Sequence, residues 1–239
     1  MAIITVTVAL SCGLISGRLM LFPESHGIVS LTHASYLVPY PEALATMESW
    51  VESIILGQSP QRLWFLEHPP LYTSGTSGKK EDHLARFPFP VYESGRGGQL
   101  TYHGPGQRVA YSLLDLRTRE QDLRKYVWHL EEWLILSIKE LGVEAFRRDG
   151  RIGLWVVTPI GEAKIAAIGV RVKKWVTSHG IAFNVAPDLR HFGGIVPCGL
   201  KGFGVTSLAD LGLTISMPEV DCVLVKKFEH VFGAQIVES

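Results

Sequence analysis

The sequence predicts an α+β domain in which a mixed β-sheet is flanked by helices. Three segments carry apolar residues at helical spacing, and the short apolar runs between them are bounded by Gly, Pro or Asn. These runs do not alternate regularly with helices, which argues against a doubly wound or P-loop fold. With 239 residues, 46% of them apolar, the chain is long enough for one large domain.

The predicted helices cover residues 40–57, 121–141 and 218–232. Pro41 suits the first turn of the first helix, and Gly142 follows the last apolar position of the second. Cys222 lies in the third helix among apolar neighbours, so we expect it to be a small buried hydrophobic residue.

The predicted strands are the apolar runs between these helices. No internal repeat or low-complexity linker divides the chain, so we expect a single domain over residues 31–239 after an N-terminal extension over residues 1–30. The strand segments read "RLWFLEH", "PFPVYES", "QRVAYSLLDL", "GLWVVT", "AKIAAIGVRV" and "HGIAFNV".

Charge and cysteine content argue against several classes of protein. Lys+Arg and Asp+Glu number 23 each, whereas nucleic-acid binders usually carry a basic excess. Three scattered cysteines, with no C-x-x-C or H-E-x-x-H spacing, predict neither a disulfide framework nor a metal site. The apolar residues 1–22 lack a basic start, and Arg18 interrupts them. We expect a cytoplasmic protein without stable membrane association.

A glycine-rich segment, "SGRGGQLTYHGPGQ" (residues 94–107), is the first candidate for a binding site. Glycine allows the backbone to approach a ligand closely, although a kinked hairpin would also use it. Neither phosphate-binding glycine motif is present. Because Arg96 and the triplet Thr101, Tyr102 and His103 place polar groups beside the glycines, the segment favours a ligand-binding loop.

Lys164 begins a run of small and apolar residues, "KIAAIGV". Such a lysine lies either at an exposed strand end or is partly buried and kept for its charge. Regular strand alternation predicts Lys164, Ala166 and Ile168 on one face of the sheet. It places Ile165, Ala167 and Gly169 on the other face.

Cys198 lies between Pro197 and Gly199 in "GGIVPCGL". A free thiol has a pKa of about 8.5 and becomes a good nucleophile only when a nearby cation favours the thiolate. Its spacing alone leaves a structural and a catalytic role open. The candidate neighbours that could supply a cation or base are Lys164, Lys201, His103 and His179.

Five segments together resemble the octanoyl-[acyl-carrier-protein]:protein N-octanoyltransferases, the lipoate-protein ligase B family. They are "EHPPLYTSGTSG", "RGGQLTYHGPGQ", "KIAAIGVRV", "HGIAFNV" and "PCGLKGFGVTSL", which occur in the family's order between about residues 40 and 208. The resemblance implies the fold shared by lipoate and biotin protein ligases, and a catalytic acyltransferase domain.

The implied reaction, the first step of lipoate cofactor biosynthesis, moves an octanoyl group from octanoyl-acyl carrier protein to a lysine of an acceptor. The implied acceptors are the lipoyl domains of 2-oxoacid dehydrogenases and the glycine-cleavage H protein, and no cofactor is required. Cys198 matches the nucleophile that forms an acyl-thioester, and Lys164 matches the lysine that activates it. The matching substrate-binding residues are Arg96, Gly97, Gly98, Gln99, Leu100, Thr101, Tyr102, His103, Ala167, Ile168, Gly169, Gly180, Ile181 and Ala182.

Two other functions are compatible with parts of this pattern. An ATP-dependent lipoate or biotin ligase would use the same fold, but such enzymes lack the P-C-G segment around Cys198. A non-catalytic module that binds acylated carrier protein would need no nucleophile at all.

Overall fold

The main feature of the fold is a mixed sheet with helices on both faces. The computed structural model describes residues 27–196 and 204–239. Within these residues the main sheet has nine strands. They are β1 (Ile28–Leu37), β2 (Gln61–Glu67), β6 (Gln107–Leu113), β7 (Phe146–Arg148), β8 (Arg151–Thr158), β9 (Gly161–Lys173), β10 (Val176–Asn184), β11 (Gly204–Val205) and β12 (Gln235–Glu238). Their order is β12-β1-β2-β6-β10-β9-β8-β7, with β11 paired to β9. β1 is parallel to β2 and β12, whereas β2, β6, β10, β9, β8 and β7 pair antiparallel in sequence across the sheet. The predicted fold class is therefore confirmed.

The helices match the apolar periodicity closely. They are α1 (Tyr40–Ile55), α2 (Leu123–Glu140) and α3 (Met217–Phe232). The Asp122 side chain caps α2 by accepting from the backbone N–H groups of Arg124 and Lys125, and Ser216 with Glu219 forms a capping box on α3.

The strands include all six predicted segments. Five of these segments lie in β2, β6, β8, β9 and β10 of the main sheet. A second, three-stranded sheet contains β3 (Leu71–Ser74), β4 (Val91–Glu93) and β5 (Thr101–His103), in the order β4-β3-β5.

Two hydrophobic cores lie on opposite faces of the main sheet. Strand alternation in β2 sends Leu63 and Phe65 towards α2 and α3, and Trp64 and Leu66 towards α1. Each face therefore has its own helical cover, and β6, β10 and β9 lie in the middle of the sheet order.

Cys222 is exposed, so the prediction that it is buried was wrong. Val220 and Leu224 form the inward face of α3, and Cys222 lies two residues from each, roughly 200° around the helix. The buried face instead includes Asp221, whose carboxylate binds the Arg108 guanidinium of β6 at 2.7 and 3.0 Å. This buried ion pair interrupts the apolar pattern on which the prediction rested.

The N-terminal region also differs from the sequence prediction. β1 begins at Ile28, three residues before the predicted start of the domain, and its segment "IVSLTHASYL" was not among the predicted strands. Residues 1–26, including Cys12, lie outside the described residues. No helix in the described part of the chain is long and apolar enough to span a membrane.

Candidate active site

A cavity of about 550 Å³ lies where β6, β9 and β10 meet the glycine-rich segment. Its volume is within the range typical of small-molecule sites. We call it the central cavity. The predicted site residues that line it are Arg96, Gly97, Gly98, Gln99, Leu100, Thr101, His103, Lys164, Ala167, Ile168, Gly169, Gly180, Ile181 and Ala182.

Tyr102 is the predicted site residue that is described but does not line the central cavity. Its ring packs with Tyr72 and Phe192 in a separate small cluster, and its hydroxyl bonds Nδ1 of His191 at 2.8 Å. Successive residues of β5 point to opposite sides, so Tyr102 faces away while Thr101 and His103 face the cavity.

Lys164 is buried, with 7% of its surface exposed. Its Nζ donates a hydrogen bond of 2.9 Å to the carbonyl oxygen of Ile152 and lies 4.9 Å from the centre of the Trp155 ring. Of the two alternatives left open by the sequence, the structure shows the buried ammonium. A charge in such a position requires close polar partners, because desolvation penalises it.

A β-bulge sets the direction of the Lys164 side chain. Leu154 pairs with Ala166 and Trp155 pairs with Lys164, so Ile165 is an extra residue in β9. Ile165 and Ala166 consequently both belong to the core under α2 and α3, while Lys164 turns to the cavity with Ala167. The predicted alternation, which placed Lys164 and Ala166 on one face, was wrong for this reason.

Gly153 allows β8 to approach the bulge. Its φ of +108° favours glycine, and a Cβ added there would lie 2.6 Å from the carbonyl oxygen of Ala166 and 3.4 Å from Nζ of Lys164. The glycine therefore helps to make room for the ammonium.

Arg96 holds the glycine-rich loop in place. Its guanidinium donates to the carbonyl oxygens of Thr73, Gln99 and Gly97 and to Oγ1 of Thr73, at 2.8–3.0 Å. The backbone N–H of Gly97 bonds the carbonyl oxygen of Val170 at 2.9 Å. The loop is thus fixed to β3 on one side and to β9 on the other.

A directed chain of hydrogen bonds continues from Arg96 through the buried polar residues. Thr73 Oγ1 accepts from Arg96 and lies 3.2 Å from Nε2 of His103. Nδ1 of His103 lies 2.7 Å from Oε1 of Gln107, whose amide nitrogen donates to Oδ1 of Asn184 at 3.0 Å. Because that amide nitrogen fixes the orientation of Gln107, Nδ1 of His103 is the protonated nitrogen.

The same chain ends beside Lys164. The Asn184 amide donates to the carbonyl oxygen of Thr206 at 2.9 Å, and the Thr206 N–H donates to the carbonyl oxygen of Lys164 at 3.0 Å. The loop of Arg96 and the strand of Lys164 are therefore connected by a continuous polar network, which holds both sides of the cavity in one arrangement.

Burial excludes both candidate histidines as cations near neutral pH. It lowers the pKa of His179 to about 3, with Arg96 and Arg171 adding to the effect, and it holds the pKa of His103 well below its usual value. Lys201 lies outside the described residues. Of the four residues that the sequence offered as a cation or base for Cys198, Lys164 is therefore the described one that lines the cavity and is not excluded as a cation.

Cys198 also lies outside the described residues, which end at Val196 and resume at Gly204. Just before the undescribed segment, the N–H of Val196 donates a hydrogen bond of 2.8 Å to the carbonyl oxygen of Asp82. Just after that segment, Gly204 and Val205 form parallel strand pairs with Ala163 and Lys164 of β9. The described chain therefore resumes, six residues after Cys198, on the strand that contains Lys164.

Several cavity residues were missed by the sequence reasoning. Tyr40 and Tyr111 line the cavity, and Tyr111 donates to Nε2 of His68, whose Nδ1 donates to the carbonyl oxygen of Val38. Burial lowers the pKa of His68 to about 4. His68 lies in the sequence segment "EHPP", whereas Tyr40 belongs to a helix and Tyr111 to a strand. No local pattern indicated that these side chains form polar contacts beside the cavity. Among the described residues, no group of three or more His, Cys, Asp or Glu could hold a metal ion.

The fold is that of the lipoate protein ligases. An archaeal bipartite lipoate protein ligase from Thermoplasma acidophilum superimposes with a TM-score of 0.67 at 19% identity, covering 90% of this chain and 87% of that one. A lipoate-protein ligase A bound with ATP gives a TM-score of 0.67 at 16% identity, with 89% and 88% coverage. At these identities the likeness concerns the fold.

Sequence comparison is more specific. The model of the lipoyl protein ligase A/B catalytic domain matches residues 39–229. An octanoyltransferase of Paramagnetospirillum magneticum is 60% identical over 198 residues, or 82% of this chain and 93% of the relative. An octanoyltransferase of Bartonella quintana is 50% identical over 209 residues, with 84% and 85% coverage. The chain belongs to the lipoyl protein ligase A/B catalytic domain family and, within it, groups with the octanoyltransferases, which are acyltransferases.

Proposed function

We propose that this enzyme transfers an octanoyl group from octanoyl-acyl carrier protein to the lysine of a lipoyl domain, through a thioester on Cys198, as the first step of lipoate cofactor biosynthesis. The observation that carries the proposal is the buried Lys164 ammonium in the wall of a cavity whose other walls include Ala167, Gly169 and Ala182. The positive charge of Lys164 beside these small side chains suits a substrate that has its reactive group at the end of an alkyl chain.

The first half-reaction is a thioester exchange. The Cys198 thiolate attacks the thioester carbonyl of the donor, the carbon–sulfur bond to the carrier breaks, and the carrier leaves as its thiol after taking up a proton. One thioester replaces another, so the step is nearly balanced and needs no ATP. Splitting the transfer in this way predicts ping-pong kinetics.

The second half-reaction forms the amide. The lysine amine of the acceptor attacks the acyl-enzyme carbonyl, loses a proton, and expels the Cys198 thiolate. Conversion of a thioester into an amide makes this step downhill. Lys164 favours the thiolate by its charge and relays the protons that the carrier thiol gains and the attacking amine loses.

Three segments bind the substrate in this proposal. Residues 96–103 form the loop over the cavity, and residues 167–169 and 180–182 line the acyl chain with small or apolar surface. Tyr102 contributes by packing the loop rather than by contact. The acceptors are lipoyl domains of 2-oxoacid dehydrogenases and the glycine-cleavage H protein, and the reaction takes place in the cytoplasm.

ATP dependence separates this function from that of an ATP-using ligase on the same fold. We expect octanoylation of a purified lipoyl domain by octanoyl-acyl carrier protein to proceed at the same rate with and without ATP and Mg²⁺. Acylation that requires ATP, and that accepts free octanoate as donor, would refute the proposal.

A further inference from the structure

Small residues form a path along one face of the sheet, starting beside Lys164. Ala167 lines the central cavity and packs with the core under α1. Gly169 is two residues further along β9 and lines the same cavity, and both residues are half-buried. Their partners on β10, Ala182 and Gly180, are equally small. An alkyl chain can therefore lie along β9 here, where larger side chains would fill the space.

The path begins close to the Lys164 ammonium. A Cβ added at Gly153 would lie 3.4 Å from Nζ of Lys164 and 3.5 Å from Cα of Ala167, so those two atoms are less than about 7 Å apart. Gly169 lies about 6.8 Å further along, since two residues of an antiparallel strand advance by that distance. The ammonium and Gly169 are therefore at most about 14 Å apart.

The Arg96 side chain closes the far end of the path. A Cβ added at Gly169 would lie 2.8 Å from Cδ of Arg96 and 3.2 Å from one of its guanidinium nitrogens, so Arg96 lies directly against the glycine. The guanidinium is held by its bonds to Thr73, Gln99 and Gly97. Arg96 therefore forms a fixed wall across the path.

The length of the path distinguishes acyl chains. Carbon–carbon bonds of about 1.5 Å give an extended octanoyl chain of about 9 Å and a hexadecanoyl chain of about 19 Å. With its carbonyl carbon beside the Lys164 ammonium, the octanoyl chain ends near Gly169, whereas the hexadecanoyl chain would run into Arg96.

We propose that the contact of Arg96 with Gly169 is the closed end of the acyl channel and sets the longest chain that the enzyme accepts. Ala167 keeps the channel open between this end and Lys164. The inference rests on the proposed function, in which the acyl carbonyl lies beside Lys164.

Substitution of Ala167 with Val tests whether the acyl chain passes this residue. Val suits a strand, and its two added methyl groups would occupy the path about midway along an octanoyl chain. We expect kcat/KM for transfer from octanoyl-pantetheine to a lipoyl domain to fall about a hundredfold, the effect of removing about four methylene groups from an apolar channel. The value for butanoyl-pantetheine should change by less than about threefold, because the shorter chain ends before the added methyl groups.

Removing the wall should lengthen the accepted chain. Arg96→Ala deletes the side chain that covers Gly169, so we expect kcat/KM for dodecanoyl-pantetheine to rise about tenfold relative to that for octanoyl-pantetheine. A loosened loop alone would lower both values together and leave their ratio unchanged. A wild-type ratio in Arg96→Ala would therefore overturn the assignment of Arg96 as the wall.

Val127→Phe is the matched control, because it adds bulk to the same cavity from the other face of the sheet. Val127 lines the cavity and belongs to α2, whose buried residues pack on the face opposite Ala167. We expect the ratio of the octanoyl to the butanoyl kcat/KM to keep its wild-type value. If Val127→Phe lowers this ratio and Ala167→Val does not, the acyl chain lies against α2 and the proposed channel is wrong.

Binding of octanoate separates the channel from the proposed reaction. In a Cys198→Ala background, which cannot form the thioester, isothermal titration calorimetry should show octanoate binding that Ala167→Val weakens about a hundredfold. If octanoate behaves in this way while the wild-type enzyme forms no acyl-enzyme, the channel stands and the proposed reaction falls. If octanoyl transfer proceeds and Ala167→Val changes neither octanoate binding nor chain-length preference, the reaction stands and the channel falls.

Discussion

Nζ of Lys164 donates a 2.9 Å hydrogen bond to the carbonyl oxygen of Ile152, on the neighbouring strand. The bond is possible because Ile165 bulges out of β9 and turns Lys164 to the cavity side of the sheet. The ammonium is therefore held by the backbone of a rigid sheet rather than by a mobile loop. This positioning is what a group that stabilises a thiolate and relays protons requires.

Replacing Lys164 with Met tests its role in catalysis. Met fills similar space but cannot carry charge or protons, so we expect kcat for octanoyl transfer to fall by about 10²- to 10⁴-fold. Lys173→Ala, which removes an exposed lysine paired with Glu52, should retain wild-type activity. Full activity in Lys164→Met would remove Lys164 from the mechanism.

The same variant should change the reactivity of Cys198. Loss of a nearby cation raises the pKa of a thiol by about one to three units, so alkylation of Cys198 by iodoacetamide should require higher pH. Peptide mass mapping follows each cysteine separately, and exposed Cys222 on α3 is an internal reference with an unchanged profile. An identical pH profile for Cys198 in both proteins would contradict the assigned partnership.

Gly180→Ala tests the close packing beneath the cavity. A Cβ at residue 180 would lie 2.2 Å from the backbone oxygen of Ala110 on β6, so β6 and β10 must separate. We expect a loss of about 2 kcal/mol or more in the free energy of unfolding, measured by urea denaturation. Gly193→Ala, with nothing within 4 Å of its added Cβ, is the control and should be nearly neutral.

Arg96→Lys tests whether the loop depends on the shape of the guanidinium. A lysine cannot reproduce the bonds to Thr73, Gln99 and Gly97, so the loop should loosen, with about tenfold higher KM for the donor and a lower melting temperature. Arg190→Lys changes an arginine whose side chain is 85% exposed and should alter neither quantity. Wild-type KM in Arg96→Lys would show that charge alone suffices.

The helices and the outline of the sheet were predictable because each depends on local periodicity. The direction of Lys164 was not, since one bulged residue reverses the alternation and nothing in "KIAAIGV" marks it. Cys222 was misassigned because Asp221, rather than an apolar residue, completes the inner face of α3 through its pair with Arg108.

The glycine-rich loop and the Lys164 strand were predicted as parts of one site, and the structure brings them to one cavity. The roles of Tyr40, Tyr111 and His68 depend on contacts between residues far apart in the chain, which no local pattern encodes. The same holds for the neutral state of His179, which follows from burial and nearby arginines.

Buried His68 makes stability depend on pH. Its pKa is about 4 in the folded protein and 6.5 when solvated, so the unfolded chain binds more protons between these values. The corresponding stability is complete above pH 6.5 and is lost as pH falls towards 4. From pH 7.5 to 5 we expect a loss of about 2 kcal/mol from this residue in urea denaturation, and a shallower dependence in His68→Gln. Equal slopes in both proteins would contradict the assignment.

Intact mass spectrometry can show whether Cys198 carries the octanoyl group. After incubation with octanoyl-acyl carrier protein and no acceptor, we expect the wild-type enzyme to gain the mass of one octanoyl group. The adduct should map to Cys198, disappear when a lipoyl domain is added, and be absent from Cys198→Ala. An enzyme that octanoylates the lipoyl domain without a detectable adduct, or a Cys198→Ala variant that transfers at the wild-type rate, would rule out the Cys198 thioester.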